Sequence, residues 1–257
     1  MATLRIPDLE GKVLLVTGAS TGIGAAAARA LGAQGARVAV HYKSSREAAE
    51  AVAADIAASG GEAWTVAGDV ADARTVESIV ARTGEHFGRI DGLVNNAGAI
   101  VRRSPLAELP DALYDEVMDL NVRSVVTACR AAVPWLRRQG GVIVNTTSVA
   151  ARNGGSTGTG FYAGTKAFVS NLTRALAKEL VAERIRVNAV APGVIATPLH
   201  DRSTSPEQMA SLAATIPMGR IGTPEDCAGA FLYLCSDMLS GYVTGQILEV
   251  NGGQLMP

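Results

Sequence analysis

Short apolar runs alternate with longer stretches of helical periodicity from one end of the chain to the other. Val13–Val16, Arg37–Val40, Ala63–Ala67, Gly92–Asn95, Val142–Asn145, Arg186–Val190 and Ile247–Val250 read as strands. Between them, Ala25–Gln34, Ser45–Ala58, Asp72–Phe87, Asp111–Arg138, Phe161–Glu183 and Pro224–Cys235 read as helices. Ser44 or Ser45 is the expected N-cap of the second helix, and Glu47 and Glu50 favour its positive end. Strands this apolar on both faces suit a parallel sheet covered by helices on two sides. Strict βα alternation then predicts an α/β doubly wound sheet with right-handed crossovers.

Two places break the rhythm. Asn153–Gly160, NGGSTGTG, is too rich in glycine for a helix interior. The stretch Ala191–Thr223 carries Pro192, Pro198, Pro206 and Pro217 and is expected to be a long substrate loop.

Composition narrows the class. A chain of 257 residues and 26.4 kDa buries roughly 70% of its unfolded surface, enough for a core without staples. With no internal repeat or linker, residues 1–257 are expected to form one domain. No apolar stretch approaches the ~18 residues of a membrane span, and MATLRIPDLEGK has no apolar signal region, so a cytoplasmic protein is expected. A net charge of -1 with mixed signs gives no footprint for nucleic acid. Cys129, Cys227 and Cys235 have no metal-ligand spacing and read as buried reduced thiols. His41, His86 and His200 form no triad or metal cluster, so no metal is expected; His200 reads as a loop histidine.

The first strand runs into Thr17-Gly18-Ala19-Ser20-Thr21-Gly22-Ile23-Gly24, directly before a helix. Glycines there allow positive φ and close backbone approach. The helix start offers unpaired N–H groups and a positive dipole end to a pyrophosphate. Nucleotide binding is the functional reading; a tight βα turn without ligand is the bland one.

TGASTGIG, Asn95-Asn96-Ala97-Gly98, Asn121 in LNV, Ser148, Tyr162-Ala163-Gly164-Thr165-Lys166 and Pro192-Gly193 occur in order at suitable separations. Together with TGQILEVNGG at the end, they make nearly the whole chain resemble the short-chain dehydrogenase/reductase (SDR) family. The resemblance implies a single Rossmann-type parallel sheet of about seven strands, with a dinucleotide across the carboxyl ends. By the same resemblance Gly18, Ser20, Thr21, Gly22, Ile23 and Gly24 form the phosphate turn. Asp69 and Val70 would lie at adenine, and Asn95, Ala97 and Gly98 in a cofactor-side turn. Pro192, Gly193, Val194, Ile195 and Thr197 would lie near the nicotinamide.

The end of the second strand bears on cofactor choice. Tyr42 aligns with the aspartate of NAD-dependent members, and Lys43 and Ser44 follow. A basic residue welcomes a 2′-phosphate, whereas an acid repels it. NADP(H) is therefore expected over NAD(H), by ~10- to 150-fold if Lys43 makes a full charge-assisted bond.

Chemistry is expected at Asn121, Ser148, Tyr162 and Lys166. Tyr162 and Lys166 are four apart, on one face of a helix. A cation lowers a phenol pKa from its usual ~10, which suits proton exchange with a carbonyl oxygen. Ser148 would hold that oxygen, and Asn121 matches the family position that holds a water beside the lysine. The resemblance also implies that Lys166 binds the nicotinamide ribose. The sequence departs from the family at YAGTK and in a Ser148–Tyr162 segment about one residue longer than usual. These readings together predict an enzyme interconverting a secondary alcohol and a ketone. The alternative is a dinucleotide-binding sensor or scaffold without turnover. Among substrates, 3-oxoacyl thioesters compete with sugars, polyols and steroids. Arg123, Arg130 and Arg174 are candidates for an acyl-carrier patch. The resemblance and the apolar residues Val125, Val126, Cys129, Ala132 and Val133 predict a homotetramer, with Phe168, Leu172 and Leu176 on the next long helix.

Overall fold

The computed structural model describes residues 5–197 and 206–256, and at 206–210 the backbone alone. Seven strands, β1 (Val13–Val16), β2 (Arg37–Tyr42), β3 (Glu62–Ala67), β4 (Gly92–Asn95), β5 (Gly141–Thr146), β6 (Ile185–Pro192) and β7 (Ile247–Val250), form one sheet. Their order is β3-β2-β1-β4-β5-β6-β7 and every pairing is parallel. Parallel neighbours need crossovers, which the helices supply. They are α1 (Gly22–Gly32), α2 (Arg46–Ala58), α3 (Ala73–Phe87), α4 (Asp111–Met118), α5 (Ser124–Leu136), α6 (Ala150–Asn153) and α7 (Gly160–Leu180), followed by Pro206–Thr215, Pro224–Cys235 and Asp237–Ser240.

Period-two alternation sorts the strand residues into two cores. Leu14, Val16, Val38, Val40 and Val144 face α1, α2 and the Pro224–Cys235 helix. Val13, Leu15, Ala39, Leu93 and Ile143 face α3, α5 and α7. Both faces of the sheet are thus covered, as the continuous apolar runs predict. Cys129, Cys227 and Cys235 are buried free thiols, each pushed up to about 12 by burial. Among the described residues no helix is long and apolar enough to cross a membrane.

The structure corrects several expectations. The helix expected over Asp111–Arg138 is α4, a π turn at Asp119–Arg123, and α5. The cause is Asn121, whose buried amide donates to Val117 O at 3.0 Å and to Ala99 O at 2.9 Å, drawing the chain out of α register. A short helix, α6, precedes the glycine-rich segment and ends at Gly154 with φ 81°. The stretch 191–223 is not loop throughout: β6 continues to Pro192, and Pro206–Thr215 is helical. His200 lies outside the described residues. Ser45 stands at the N-cap of α2 without a side-chain capping bond. On α5, Val125, Cys129 and Ala132 are buried against the sheet, leaving Val126 as the exposed valine.

Candidate functional site

Strand order reverses between β1 and β4, and ligands of doubly wound sheets sit at such a switch, outside the carboxyl ends of the strands. A cleft of about 820 Å³ opens there. Its floor begins at the turn after β1. Gly18 has φ +63°, and an added Cβ would sit 3.0 Å from Ala97 Cα. Thr21 is the N-cap of α1 but makes no side-chain capping bond, and no acid lies in the first turn. The first amides of α1 are therefore left for an external anion. Ser20, Thr21, Gly22 and Ile23 line this end of the cleft.

Three residues that the sequence reading left without a role hold this turn. His41, 1% exposed, accepts the Gly18 N–H at Nδ1 (3.0 Å) and points Nε2 at Gly68 O (3.0 Å). Only the neutral Nε2–H tautomer satisfies both contacts. Burial holds the His41 pKa below its ordinary value, against the opposing pull of the Gly68 carbonyl and the Asp69 charge. Thr17 Oγ1 accepts the Asn96 and Ala97 N–H groups (3.0 and 3.1 Å), and Asn96 Nδ2 donates to Thr17 O and Gly18 O (3.1 and 3.2 Å). Nothing local marked His41, just past the Arg37–Val40 run, or set Asn96 above its neighbour Asn95.

Several site residues stand elsewhere than expected. Asn95 is 4% exposed and donates to Asn145 Oδ1 at 2.9 Å, inside the core, so its neighbour Asn96 is the one at the cleft. Tyr42 packs on the apolar layer beside α1 and α2 and does not line the cleft. Gly24 lies behind the turn, where a Cβ would meet Gly18 O at 2.3 Å; it serves close packing. Asn121 is wholly buried, its Oδ1 accepting the Ala99 N–H at 3.0 Å.

At the end of the cleft beside β2 and β3, Lys43, Ser44, Asp69 and Val70 line the wall. Lys43 Nζ pairs with Asp69 Oδ2 at 2.7 Å, while Arg46 turns away to Glu50. Asp69 also accepts the Ala71 N–H (3.0 Å); the N-cap of α3 is Asp72 instead, through Thr75 N at 2.7 Å. Burial alone would raise the Asp69 carboxyl, but Lys43 and the Ala71 amide hold it below its usual range.

At the other end, Ala97, Gly98, Ser148, Tyr162 and Lys166 converge with Pro192, Gly193, Val194, Ile195 and Thr197. Lys166 is 4% exposed, donates to Thr146 O at 2.9 Å, and lies 5.8 Å from the centre of the Tyr162 ring. A Cβ on Gly98 would fall 2.7 Å from Asn121 Oδ1 and 3.1 Å from Lys166 Nζ, so glycine alone admits the lysine head. Burial pushes Tyr162 up to about 12, a Ser148 hydrogen bond opposing, and pushes Lys166 down to about 8. The phenol is therefore a proton donor at neutral pH in the ligand-free protein. Thr146 Oγ1 is buried in this wall without a partner, a polar atom that a bound amide or ribose would satisfy. The uncapped helix start, the glycine cradle and this orphaned hydroxyl fit an extended dinucleotide.

Such a crevice defines a nicotinamide-dependent oxidoreductase on a Rossmann-type fold. A family model described as enoyl-(acyl carrier protein) reductase matches residues 18–254. A 3-oxoacyl-[acyl-carrier-protein] reductase of Synechocystis sp. is 42% identical over 96% of this chain and 98% of its own. An L-rhamnose 1-dehydrogenase (NAD(P)(+)) of Sphingomonas sp. is 41% identical over 95% and 96%. The crystal structure of an NADH-dependent reductase A1-R′ responsible for alginate metabolism superposes with a TM-score of 0.91 at 37% identity, covering 98% of this chain and all of that one. The chain belongs to the short-chain dehydrogenase/reductase family. It is an oxidoreductase of the kind that interconverts secondary alcohols and ketones.

Proposed function

We propose that this protein is an NADP(H)-preferring reductase of small polar ketones, with Tyr162 as the proton donor. The observation that carries the reading is the convergence of Ser148, protonated Tyr162 and Lys166 at the far end of a cleft that starts at an uncapped helix. The reduced nicotinamide supplies hydride. Ser148 positions the carbonyl oxygen, and Tyr162 Oη–H donates to it as negative charge develops there. Lys166, fixed by Thr146 O, offsets the tyrosinate so formed and would hold the ribose of the bound cofactor. Asn121 acts as a support: its amide pins Ala99 and the π turn behind Lys166.

The proposed NADP(H) preference rests on Lys43 and Ser44 in the cleft wall, since Tyr42 stands off the cleft. The Lys43–Asp69 pair lowers its expected size below the sequence-based figure. The substrate half of the cleft sets Ser148, Ser156, Arg102 and Arg103 among the apolar Ile100, Val149 and Leu212. The polar ketone is proposed on the hydroxyls and guanidiniums of that wall. Of the arginines considered for an acyl-carrier patch, Arg123 is paired with Asp119 and Arg130 with Glu77. Both pairs are exposed and only reduce the charge offered to an acidic partner, while Arg174 meets Ser170 O and no acid among the described residues. No observation favours the sensor reading, which has no need of a buried lysine beside a phenol. The test is a carbonyl panel with NADPH and NADH, run on wild type and Tyr162→Phe. Loss of the acid should lower kcat by ~10²–10⁴ with cofactor affinity retained; activity within twofold of wild type removes Tyr162 from the role.

A further inference from the structure

The loop between β4 and α4 carries a strained turn at the mouth of the cleft. Val101 has φ +64°, a region β-branched residues rarely enter, and Arg102 N–H donates back to Ile100 O at 2.8 Å. The two facts define a γ-turn of the rare positive-φ kind. Strain of this sort persists where surrounding contacts impose it, and it clusters at ligand sites. Here the restraint comes from the glycine-rich segment opposite. Arg103 Nη1 donates to Ser156 Oγ (2.7 Å) and Thr157 O (3.3 Å), and Ser104 N–H donates to Gly158 O (2.9 Å).

The turn thus presents two consecutive arginines, one of which is the latch. Arg102 lines the cleft and shares a small adjoining cavity with Phe161 and Tyr162. Some arginines, such as Arg29 on Asp55, Arg130 on Glu77 and Arg220 on Asp226, meet carboxylates, and others, such as Arg82 and Arg138, lie over the rings of Trp64 and Trp135. The Arg102 side chain, on an exposed residue, has no hydrogen-bond or ion-pair partner among the described residues. Around the substrate half the charged walls are Arg102, Arg103 and Lys166 against Glu116 alone. A guanidinium held out by a strained turn, beside the proton donor and without an acid of its own, is arranged to receive an oxyanion.

We infer that the ketone substrate carries an anionic group, carboxylate or phosphate, and that Arg102 binds it while Arg103 locks the turn. The inference rests on the oxidoreductase reading above and deepens it by naming the substrate's charge. The experiment measures kcat/KM with NADPH for matched pairs: acetoacetate and ethyl acetoacetate, levulinate and ethyl levulinate, dihydroxyacetone phosphate and dihydroxyacetone. The anion should be preferred about tenfold or more in at least one carboxylate or phosphate pair, and which pair identifies the source. Arg102→Gln should collapse that ratio through KM, with kcat held, and Arg102→Lys should restore part of it. Preference for the neutral partner in every pair overturns the inference, as does an anion preference that survives Arg102→Gln. Turnover of neutral ketones alone removes the inference and leaves the oxidoreductase reading standing; turnover of nothing, with either cofactor, removes both.

Discussion

Lys43 offers the sharpest test of the proposed NADP(H) preference. A lysine on a 2′-phosphate makes a charge-assisted bond of about 1.5–3 kcal/mol when no other group competes. Here Asp69 competes: its Oδ2 holds the Lys43 ammonium at 2.7 Å, and the lysine side chain is 68% exposed. Giving up an exposed pair costs about 0.2–1 kcal/mol, and solvent screening trims the new bond as well. Asp69 also repels the incoming phosphate, by about 0.8 kcal/mol per unit charge at ~5 Å in water. What remains lies between about 0 and 2 kcal/mol, a preference for NADPH of at most ~25-fold.

The assay is kcat/KM for NADPH and for NADH at one fixed ketone. Lys43→Ala should bring the ratio to about one, through KM for NADPH. Asp69→Asn should move it the other way, raising the ratio several-fold, because the lysine is freed and a like charge is gone. A ratio that stays put in both variants would refute the reasoning, and so would a fall in Asp69→Asn. Tyr42→Asp is the poorer probe, since Tyr42 packs on the apolar layer and a carboxylate there would disturb the core.

Other expectations follow from the same geometry. His41→Phe leaves the Gly18 N–H and the Gly68 carbonyl without partners, which should destabilise the protein by about 2–4 kcal/mol and raise KM for the cofactor in titration assays. Because burial depresses the native His41 pKa, the unfolded chain takes up a proton first as pH falls below ~6.5, so wild-type stability declines there. A denaturation series showing the same acid slope in the Phe variant would exclude His41 as its source. Alcohol oxidation needs tyrosinate, and with Tyr162 pushed up to about 12 its kcat/KM for oxidised cofactor should climb from pH 7 to 10. Ketone reduction should instead decline above about pH 8 as Lys166 loses its proton; a flat reduction profile to pH 10 would contradict this. Exposed Val126 on α5 and Phe168 on α7 are the apolar positions available to a homotetramer contact, and light scattering at the 26.4 kDa monomer mass would refute that assembly.

The sheet was legible because the central strands β1, β4, β5 and β6 are short apolar runs buried on both faces, while the edge strands β3 and β7 are only partly buried. Burial on two sides leaves little room for polar residues, so the runs stand out, and their alternation with helices determines the parallel order. What the pattern could not show are the places where a distant residue redirects the chain. Asn121 breaks the expected long helix because its amide serves Ala99, 22 residues away. Periodicity within Asp111–Arg138 carries no trace of that. The Pro206–Thr215 helix was hidden by its flanking prolines, although proline at a first helical position is compatible with a helix start.

The site divides along the same line. Ser148, Tyr162 and Lys166 are readable because their chemistry depends on side-chain type at a fixed spacing, and the fold brings them to one wall. Asn95 and Asn96 are adjacent and chemically identical, so only the strand's facing decides between them: Asn95 completes the buried chain to Asn145 and Thr173, and Asn96 reaches across to Thr17 and Gly18. The same holds for His41. In isolation it is one polar residue at a strand end, yet its two ring nitrogens span from the turn after β1 to the end of β3. The glycine turn is the most recognisable feature of the sequence, but glycine supplies only permission for its shape. The shape itself is held by Thr17, Asn96 and His41, from three different strand ends, so the anion cradle exists only once the sheet has assembled.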